Sequence, residues 1–335
     1  MVANASKISA AARWLGLAAL LFGLIPGALA LVGGGYPFQV GITALIFVTL
    51  AVSLNLVTGT AGLLSLGHAG FFGVGAYAAA LASTKLGWPF LLTLPFAAAC
   101  AAALGVLVAL PTMRLISIYF AVATLGIGEM IHVTLLNWVS FTRGPMGVRG
   151  IPPIEIAGLD LSSVVGGYYA AAAVAALGIF AVHRLTHSYY GNALRALRED
   201  DQCAAAMGLN PVRLKIEAFG IACAIAGAAG AVYAHTAAFI SPDSFRFEES
   251  ILILAMIVVG GLGSLPGAVI GAVLLIVLPE ALRGFGDFRM IAVGTFMFLS
   301  ILFLPKGLVG EASAIALFRR QLGAAWRGDV QAGWK

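Results

Sequence analysis

Glu129 and His132 are two ionisable residues inside an apolar stretch of the chain. Their spacing of three residues puts both side chains on the same face of a helix. Ionisable groups at membrane depth are functional candidates, because lipid does not solvate them. A proton relay would need further groups in line, and the surrounding segment offers only Thr124 and Asn137. A structural hydrogen bond within the pair, or a contact with a partner subunit, is an equally good interpretation.

A second set of polar residues lies in a glycine-rich stretch, 55–77. Its six glycines allow neighbouring backbones to approach closely. Asn55, Ser65 and His68 place polar groups at membrane depth, which is costly unless they face a bundle interior or water. The stretch either lines a solute path or is a site of close helix packing with local hydrogen bonds. The candidate path residues are Asn55, Ser65, His68, Tyr77, Glu129 and His132.

Residues that would support enzymatic chemistry are few. His183 and His187 are four residues apart, as in some metal sites, but no third ligand accompanies them. Cys100, Cys203 and Cys223 are scattered and are interpreted as small packing residues. The chain has no G-x-x-x-x-G-K-[ST] phosphate loop, so it does not bind ATP through that device. The sequence therefore predicts no catalytic residue, no metal site and no cofactor in this chain.

The composition shows which elements must position these residues. Of 335 residues, 61% are hydrophobic and only 10% are charged, whereas a water-soluble domain carries about 25% charged residues. The apolar stretches must therefore face lipid or one another, and each crossing needs about 20 apolar residues. The sequence predicts an all-α, polytopic membrane helix bundle of about ten transmembrane segments. The candidate spans are 14–32, 39–57, 62–84, 88–110, 115–138, 164–183, 214–238, 249–264, 267–283 and 288–304.

Basic residues predict the orientation of the bundle. The formal net charge is +5, and basic residues cluster in the longest polar loop, 184–213, and in the tail 306–335. Because cytoplasmic segments are enriched in Lys and Arg, both segments and the N-terminal tail 1–13 are predicted to lie in the cytoplasm. Residues 14–305 then form a single transmembrane domain. The charges sit in short loops, so orientation rather than nucleic-acid binding explains them.

The first span allows a second interpretation. Lys7 and Arg13 precede an apolar run that ends in Ala28-Leu-Ala30, as in a secretory signal with its cleavage site. The run is long for a signal peptide, so we expect the span to be retained. Its removal would leave nine crossings.

The loop 184–213 contains a predicted short amphipathic helix. The alanine run favours a helix, Gly208 supplies a stop, and Pro211 prevents continuation. From composition alone, a solvated surface helix or one lying on lipid headgroups is a sufficient interpretation. Its apolar side chains at helical spacing are Leu194, Leu197, Ala204, Met207 and Leu209.

Two glycine-rich stretches also resemble each other. Gly62-Leu-Leu-Ser-Leu-Gly-His-Ala69 is similar to Gly261-Leu-Gly-Ser-Leu-Pro-Gly-Ala268. Such repeats recur in transporters, where broken helices line the path. The segment 260–267 is interpreted either as a tight turn between two spans or as a re-entrant break.

The loop 184–213 resembles the acidic–Ala–Ala…Gly loop of bacterial ABC importer permeases, and the match is closest to permeases of the branched-chain amino acid type. The residues that carry this resemblance are Glu199, the alanines 204–206 and Gly208. Two departures stand out: residues 200–203 lengthen the spacing between the acidic residue and the alanines, and Met146 occupies a position where the family often has a polar residue. The resemblance covers roughly residues 40–310. Four further stretches resemble that branch in the same order, namely 55–77, 142–152, 259–268 and 303–308.

The resemblance implies that the loop is a coupling helix that docks on a separate ATPase. It implies a second related permease, two cytoplasmic ATP-binding subunits that carry ATP and Mg²⁺, and an extracytoplasmic solute-binding protein. The binding protein would dock on loops that include 139–163 and 239–248. The residues assigned to the ATPase contact are Arg195, Arg198, Glu199, Asp200, Ala205 and Gly208.

The implied function is that of a permease subunit, not an enzyme, in the bacterial plasma (inner) membrane. Branched-chain or other small amino acids are the implied solutes, and urea or amides remain an alternative. An ion-coupled secondary transporter would need intramembrane carboxylates, and only Glu129 lies well inside a predicted span. An intramembrane enzyme would need a catalytic constellation, and none is visible in the sequence.

Overall fold

The chain folds into a bundle of α-helices with two small β-ladders. The predicted all-α membrane bundle is therefore confirmed. The computed structural model describes residues 21, 23, 25–27, 34–113, 115, 117–156, 159–286, 288–303, 307 and 308. The predicted tails 1–13 and 306–335 lie almost entirely outside the described residues, as do the proposed cleavage site at 28–30 and most of the first span, 14–32.

The helices account for most of the described chain. They are α1 Tyr36–Asn55, α2 His68–Leu86, α3 Phe90–Thr112, α4 Ser117–Asn137, α5 Val139–Thr142, α6 Val164–Thr186, α7 Tyr189–Glu199, α8 Asp201–Ala206, α9 Pro211–Ala237, α10 Phe247–Gly260, α11 Leu265–Ala281 and α12 Phe288–Phe303. A π-helical turn, Leu56–Thr60, continues α1 without a break. Short 3-10 turns lie at Gly144–Met146, Pro242–Phe245 and Arg283–Phe285.

Nine of the ten predicted spans each correspond to one helix, namely α1, α2, α3, α4, α6, α9, α10, α11 and α12. Five helices are long and apolar enough to cross a membrane: Tyr36–Thr60, Phe90–Thr112, Ile118–Asn137, Val164–Thr186 and Pro211–Ala237. Shorter apolar helical segments lie at Leu265–Ala281 and Ile291–Ser300. The number of ten crossings and the sides of the termini stay predictions.

Polar side chains start several of these helices. The Ser163 hydroxyl accepts a hydrogen bond from the Gly166 amide, and the Ser264 hydroxyl accepts one from the Gly267 amide. Asn210 caps α9 in the same way, ahead of Pro211 in the first turn. These groups satisfy amides that would otherwise lack partners at a helix start.

Helix α9 occupies the centre of the bundle and packs against α1, α2, α3 and α6. Small residues make this packing close. A Cβ at Gly75 of α2 would lie 2.7 Å from the carbonyl carbon of Gly227 in α9, so a larger residue at Gly75 would push the helices apart. Small residues at helix crossings are typical of membrane bundles, where packing drives association.

The two predicted outer loops meet in the structure. Strand β1, Val148–Arg149, pairs with β4, Phe239–Ile240, in an antiparallel ladder with Val148 opposite Ile240. This joins the loop 139–163 to the loop 239–248, in agreement with their predicted placement on one side of the membrane. A second ladder pairs β2, Glu155–Ile156, with β3, Leu159–Asp160.

Two glycine-rich segments interrupt the helices. The span predicted to start at residue 62 becomes helical only at His68, because Gly62 takes a left-handed conformation with φ of 73° and residues 61–67 are not helical. The segment 260–267 is a turn between two packed helices. Its centre holds Gly261 at φ 121° and Gly263 at φ 80°. Helix α10, which precedes this turn, has 14 residues and is therefore about 21 Å long. It is shorter than the hydrocarbon core of a bilayer, which is about 30 Å thick.

The prediction that all three cysteines are small packing residues is wrong for Cys203. Cys223 is buried and Cys100 is half-buried, as small packing residues are, but Cys203 is exposed in α8.

Candidate functional site

The loop 184–213 holds two short helices, so the single amphipathic helix predicted there is wrong. The break lies at Asp200, whose backbone is extended (φ −158°, ψ 113°). The Asp200 carboxylate accepts hydrogen bonds from the amides of Cys203 at 2.9 Å and Gln202 at 2.7 Å. These bonds start α8 and hold the pKa of the Asp200 carboxyl below its ordinary value. The acidic residue inside the lengthened spacing therefore acts as a helix cap.

Helix α7 is amphipathic, as its sequence pattern predicted. Leu194 and Leu197 are buried against the bundle, whereas Arg195 and Glu199 are exposed. Only Ala204 of the three alanines in α8 is buried. The predicted apolar face is thus confirmed at Leu194, Leu197 and Ala204 and partly at Leu209, but it is wrong for Met207, which is exposed.

The end of α8 presents an exposed surface, which we call the docking face and define as Glu199, Cys203, Ala205, Met207 and Gly208. The Met207 side chain is 85% exposed. Gly208 has φ of 88°, and a Cβ there would meet no heavy atom within 4 Å. The left-handed backbone conformation at position 208, and not a lack of space, therefore requires glycine.

The side of the loop opposite the docking face is bound to the helix bundle by polar contacts. Lys215 of α9 forms an ion pair with Asp201. The Tyr190 hydroxyl donates a hydrogen bond to the Leu214 carbonyl at 3.1 Å. Burial raises the pKa of Tyr190, and the nearby Glu217 carboxylate adds to this effect. Both contacts tie the two short helices to the start of α9.

Arg198 connects this loop to the two glycine-rich breaks. Its Nη1 donates a hydrogen bond to the Gly59 carbonyl at 2.5 Å, in the π-helical turn. The Asn55 side-chain oxygen, one turn earlier, accepts a hydrogen bond from the Gly263 amide at 2.9 Å. A Cβ at Gly62 would lie 2.9 Å from the Arg198 Cγ. We call this set the loop junction: Arg198 with Asn55, Gly59, Gly62 and Gly263.

The loop junction brings together the two stretches whose sequences resemble each other. Arg198 and Asn55 were predicted for different roles, one in an ATPase contact and the other in a solute path, but both belong to this contact. An open cleft of ≈ 340 Å³ adjoins it. The cleft is lined by Ala61, Gly62, Leu63, Met113, Leu115, Leu197, Arg198, Glu199, Asp200, Asp201 and Lys215.

The other candidate path residues of the glycine-rich stretch are buried. His68 Nε2 lies 2.7 Å from the Ser53 hydroxyl, while its Nδ1 has no hydrogen-bond partner among the described residues. The Ser65 hydroxyl and the Tyr77 hydroxyl also have none within the described part of the chain. The Tyr77 ring packs edge-on against Phe245, with ring centroids 5.9 Å apart. Both interpretations of this stretch, path lining and packing, thus stay open.

Glu129 and His132 form the pair that their spacing predicts. The Glu129 carboxylate lies 3.4 Å from His132 Nδ1 in α4. The Glu129 side chain is 50% exposed, on a helix whose neighbouring residues Val122 and Met130 are exposed as well. This face of α4 is left uncovered by the described residues.

Several polar residues near the candidate path were missed from the sequence. The Ser250 hydroxyl accepts a hydrogen bond from the Ala69 amide at 2.9 Å and so joins α10 to the start of α2. Beside it, Glu249 has one enclosed carboxylate oxygen, Oε2, without a hydrogen-bond partner among the described residues. The sequence did contain a signal that could have identified Glu249. Its carboxylate stands at the first residue of an apolar run, and exposing a charged group to lipid is costly.

The candidate metal pair lies at the end of α6. The rings of His183 and His187 are 4.0 Å apart between centroids, and the His187 Nδ1 lies 3.0 Å from the His183 carbonyl oxygen. Within the described residues, no group of three or more His, Cys, Asp or Glu side chains is arranged to hold a metal ion.

Comparison with known proteins gives consistent matches. A family model described as the permease component of the branched-chain amino acid transport system matches residues 36–304. The high-affinity branched-chain amino acid transport system permease protein LivM of Salmonella typhimurium is 36% identical over 312 residues, 84% of this chain and 73% of that protein. LivM of Escherichia coli K12 is 38% identical over 288 residues, 79% of this chain and 68% of that protein.

A second kind of permease matches over a shorter region. LivH of Escherichia coli K12 is 31% identical over 142 residues, 42% of this chain and 44% of that protein. No solved structure gives a significant match to the chain.

Proposed function

Because the chain belongs to the branched-chain amino acid transport permease family, we propose that it forms one half of the membrane conduit of an ATP-driven importer for branched-chain or other small amino acids. The chain is a multi-pass membrane protein and a transport subunit of the ATP-binding-cassette class. The solute class is taken from the names of the relatives. Urea and amides are the alternative solutes.

The proposed partners follow from the same premise. The second half of the conduit is a related permease, in keeping with the similarity to both LivM and LivH proteins. Two cytoplasmic ATP-binding subunits hydrolyse ATP, and a solute-binding protein delivers the solute from outside the bacterial plasma membrane. The loop ladder β1–β4 is the proposed contact for that binding protein.

The observation that carries this proposal is the docking face. Met207 exposes a large apolar side chain at the tip of a loop whose opposite side is fastened by Leu194, Leu197 and the Lys215–Asp201 ion pair. A single exposed apolar side chain is common on protein surfaces, so the weight rests on its place in the loop that resembles the coupling loop of ABC importer permeases. We propose that the ATP-binding subunit covers it and moves the loop when ATP binds.

Cys203 provides the first test, because it is exposed on the docking face while Cys223 is buried. A membrane-impermeant maleimide should label Cys203 in inside-out vesicles and not in intact cells. Labelling should fall when the ATP-binding subunits are present. The variant Cys203→Ser is the control and should lose this signal. Labelling of Cys203 from the outside of intact cells would contradict the proposed orientation.

Energy supply is the second test. Cells depleted of ATP while their proton gradient is maintained should lose uptake of radiolabelled leucine. Uptake that persists under these conditions would favour the ion-coupled secondary transporter. The same assay with excess unlabelled urea as the competitor separates the two solute classes, because only a urea or amide importer would lose leucine uptake.

A further inference from the structure

We propose that Arg198 is a positioning residue that makes the coupling loop and the two glycine-rich breaks move as one body. This inference rests on the proposed function, since it describes how force applied to the docking face would enter the membrane bundle. It assigns Arg198 to a contact within the chain and leaves the contact with the ATPase to Glu199 and the rest of the docking face.

The Gly59 carbonyl is a suitable anchor for a cation. It lies in the last turn of the continuous helix Tyr36–Thr60, where carbonyl groups run out of backbone partners. The end of a helix also carries partial negative charge, which a guanidinium stabilises. The hydrogen bond of 2.5 Å between Arg198 and Gly59 is therefore charge-assisted and stronger than one between neutral groups.

The second break is in direct contact with the first. A Cβ at Gly59 would lie 2.5 Å from the Gly263 amide nitrogen, so no side chain fits between the two backbones. The Asn55 side chain bonds the Gly263 amide across the same contact. A Cβ at Gly263 would lie 3.3 Å from Arg198 Nη1. The guanidinium thus lies between the end of α1 and the turn that joins α10 to α11.

The rest of α7 makes Arg198 an effective link. Leu194 and Leu197 on the same helix are buried, so α7 and the bundle surface beneath it are held together. The aliphatic part of Arg198 lies over Gly62, where a larger residue would displace it. A displacement of α7 therefore acts on three segments together: the π-helical turn, residues 61–67 and the turn 261–264. Coupling of this kind needs a physically connected element that both ends can bias.

Arg213 is the control. It lies at the end of the same polar loop, its side chain is exposed, and its Nε donates a hydrogen bond to the Glu217 carboxylate at 2.8 Å within α9. It has the same charge as Arg198, but its ion pair with Glu217 lies outside the loop junction.

The experiment uses the complete importer reconstituted in liposomes with its binding protein, and radiolabelled leucine as the solute. Arg198→Ala should retain the ATP-binding subunits on co-purification and still hydrolyse ATP. Leucine uptake should fall by about tenfold or more, the effect expected for loss of a hydrogen bond to a charged group. The number of ATP molecules hydrolysed per leucine should rise accordingly. Arg198→Lys should restore part of the coupling, and Arg213→Ala should leave the ratio unchanged.

Asn55→Ala tests the same link from the other side and decides the matter if Arg198→Ala fails to fold into the membrane. It should also raise the ratio of ATP hydrolysed to leucine transported. The proposal is overturned if the ratio stays unchanged in Arg198→Ala, or in Asn55→Ala where only that variant folds. It is also overturned if Arg198→Ala folds but loses the ATP-binding subunits, because Arg198 would then be a docking residue. Failure of the proposed function is distinct from these results, since the wild-type importer would then show no ATP-dependent uptake.

Discussion

Two regions of this molecule satisfy their polar groups in opposite ways. In the loop junction, the exposed Arg198 bonds the Gly59 carbonyl and the buried Asn55 bonds the Gly263 amide, so the polar groups find their partners within the chain. Around α2, the Tyr77 hydroxyl and the Nδ1 of His68 are enclosed, and neither has a partner among the described residues. Glu249 at the start of α10 is similar, with one enclosed oxygen unpaired in the described part of the chain.

The difference indicates two kinds of task. A closed set of hydrogen bonds fixes the relative position of the segments that share it, which suits the transmission of movement. Enclosed polar atoms without partners are costly, and a water, a solute, a neighbouring subunit or a residue outside the described part of the chain must supply the missing bond. The bonds of the loop junction therefore lie among the described residues, whereas the groups around α2 and α10 need partners beyond them. Four experiments would break or sharpen this comparison.

The largest effect is expected at Gly59. Gly59→Ala places a Cβ 2.7 Å from the Gly263 Cα, so the two backbones must separate. We expect a loss of about 1–3 kcal/mol or more of stability from this overpacking, together with loss of leucine uptake. The apparent melting temperature of the purified chain in detergent measures the first effect. Gly126→Ala is the matched control, because a Cβ at Gly126 of α4 meets no heavy atom within 4 Å. Equal melting temperatures for the two variants would contradict the close contact.

The docking face should be nearly as sensitive but without loss of fold. Glu199→Arg reverses a charge on an exposed residue, and Gly208→Pro cannot adopt the φ of 88°. Both variants should abolish uptake while the membrane bundle still assembles, and the ATP-binding subunit should co-purify in smaller amounts. Glu199→Gln is the milder control. Unchanged co-purification together with normal uptake would defeat the assignment of this surface.

An intermediate effect is expected at Glu249. Glu249→Gln replaces a carboxylate whose enclosed oxygen has no donor within the described residues. If an external cation or water supplies that donor, uptake should fall by about tenfold at unchanged ATPase association, as for loss of a charge-assisted hydrogen bond. Glu248→Gln, at the exposed neighbouring position, should transport normally. Equal uptake by both variants would show that the unpartnered oxygen has no part in transport.

The smallest effect is expected at Asp200, which caps α8. Because folding lowers the pKa of Asp200, its carboxylate stabilises the cap at neutral pH, and this stabilisation is lost as the pH falls through the lowered pKa. Asp200→Ala should speed hydrogen exchange of the Gln202 and Cys203 amides at neutral pH, with uptake only slightly reduced. In acid the wild-type amides should show the same loss of protection, measured relative to the intrinsic exchange rate at each pH. Exchange rates that do not respond to either change would remove Asp200 from the role of cap.

Local patterns predicted the helices of this protein well. The continuous apolar runs between polar loops located nine of the described helices, because a segment in lipid must satisfy its own backbone and is helical for that reason. The spacing of Glu129 and His132 predicted their contact, and Leu194 and Leu197 predicted the buried side of α7. The break at Asp200 was missed, although an acidic residue ahead of an alanine run is a typical helix cap.

The sequence by itself determined that this chain is a membrane bundle with one long polar loop. Apolar runs and helical periodicity are local features, and short stretches of sequence contain them in full. The tertiary structure alone decided that Arg198 reaches Gly59, 139 residues away, and that Asn55 reaches Gly263, 208 residues away. Such contacts depend on how whole helices pack against one another. A glycine that permits a helix break has the same local pattern whether or not another backbone lies against it.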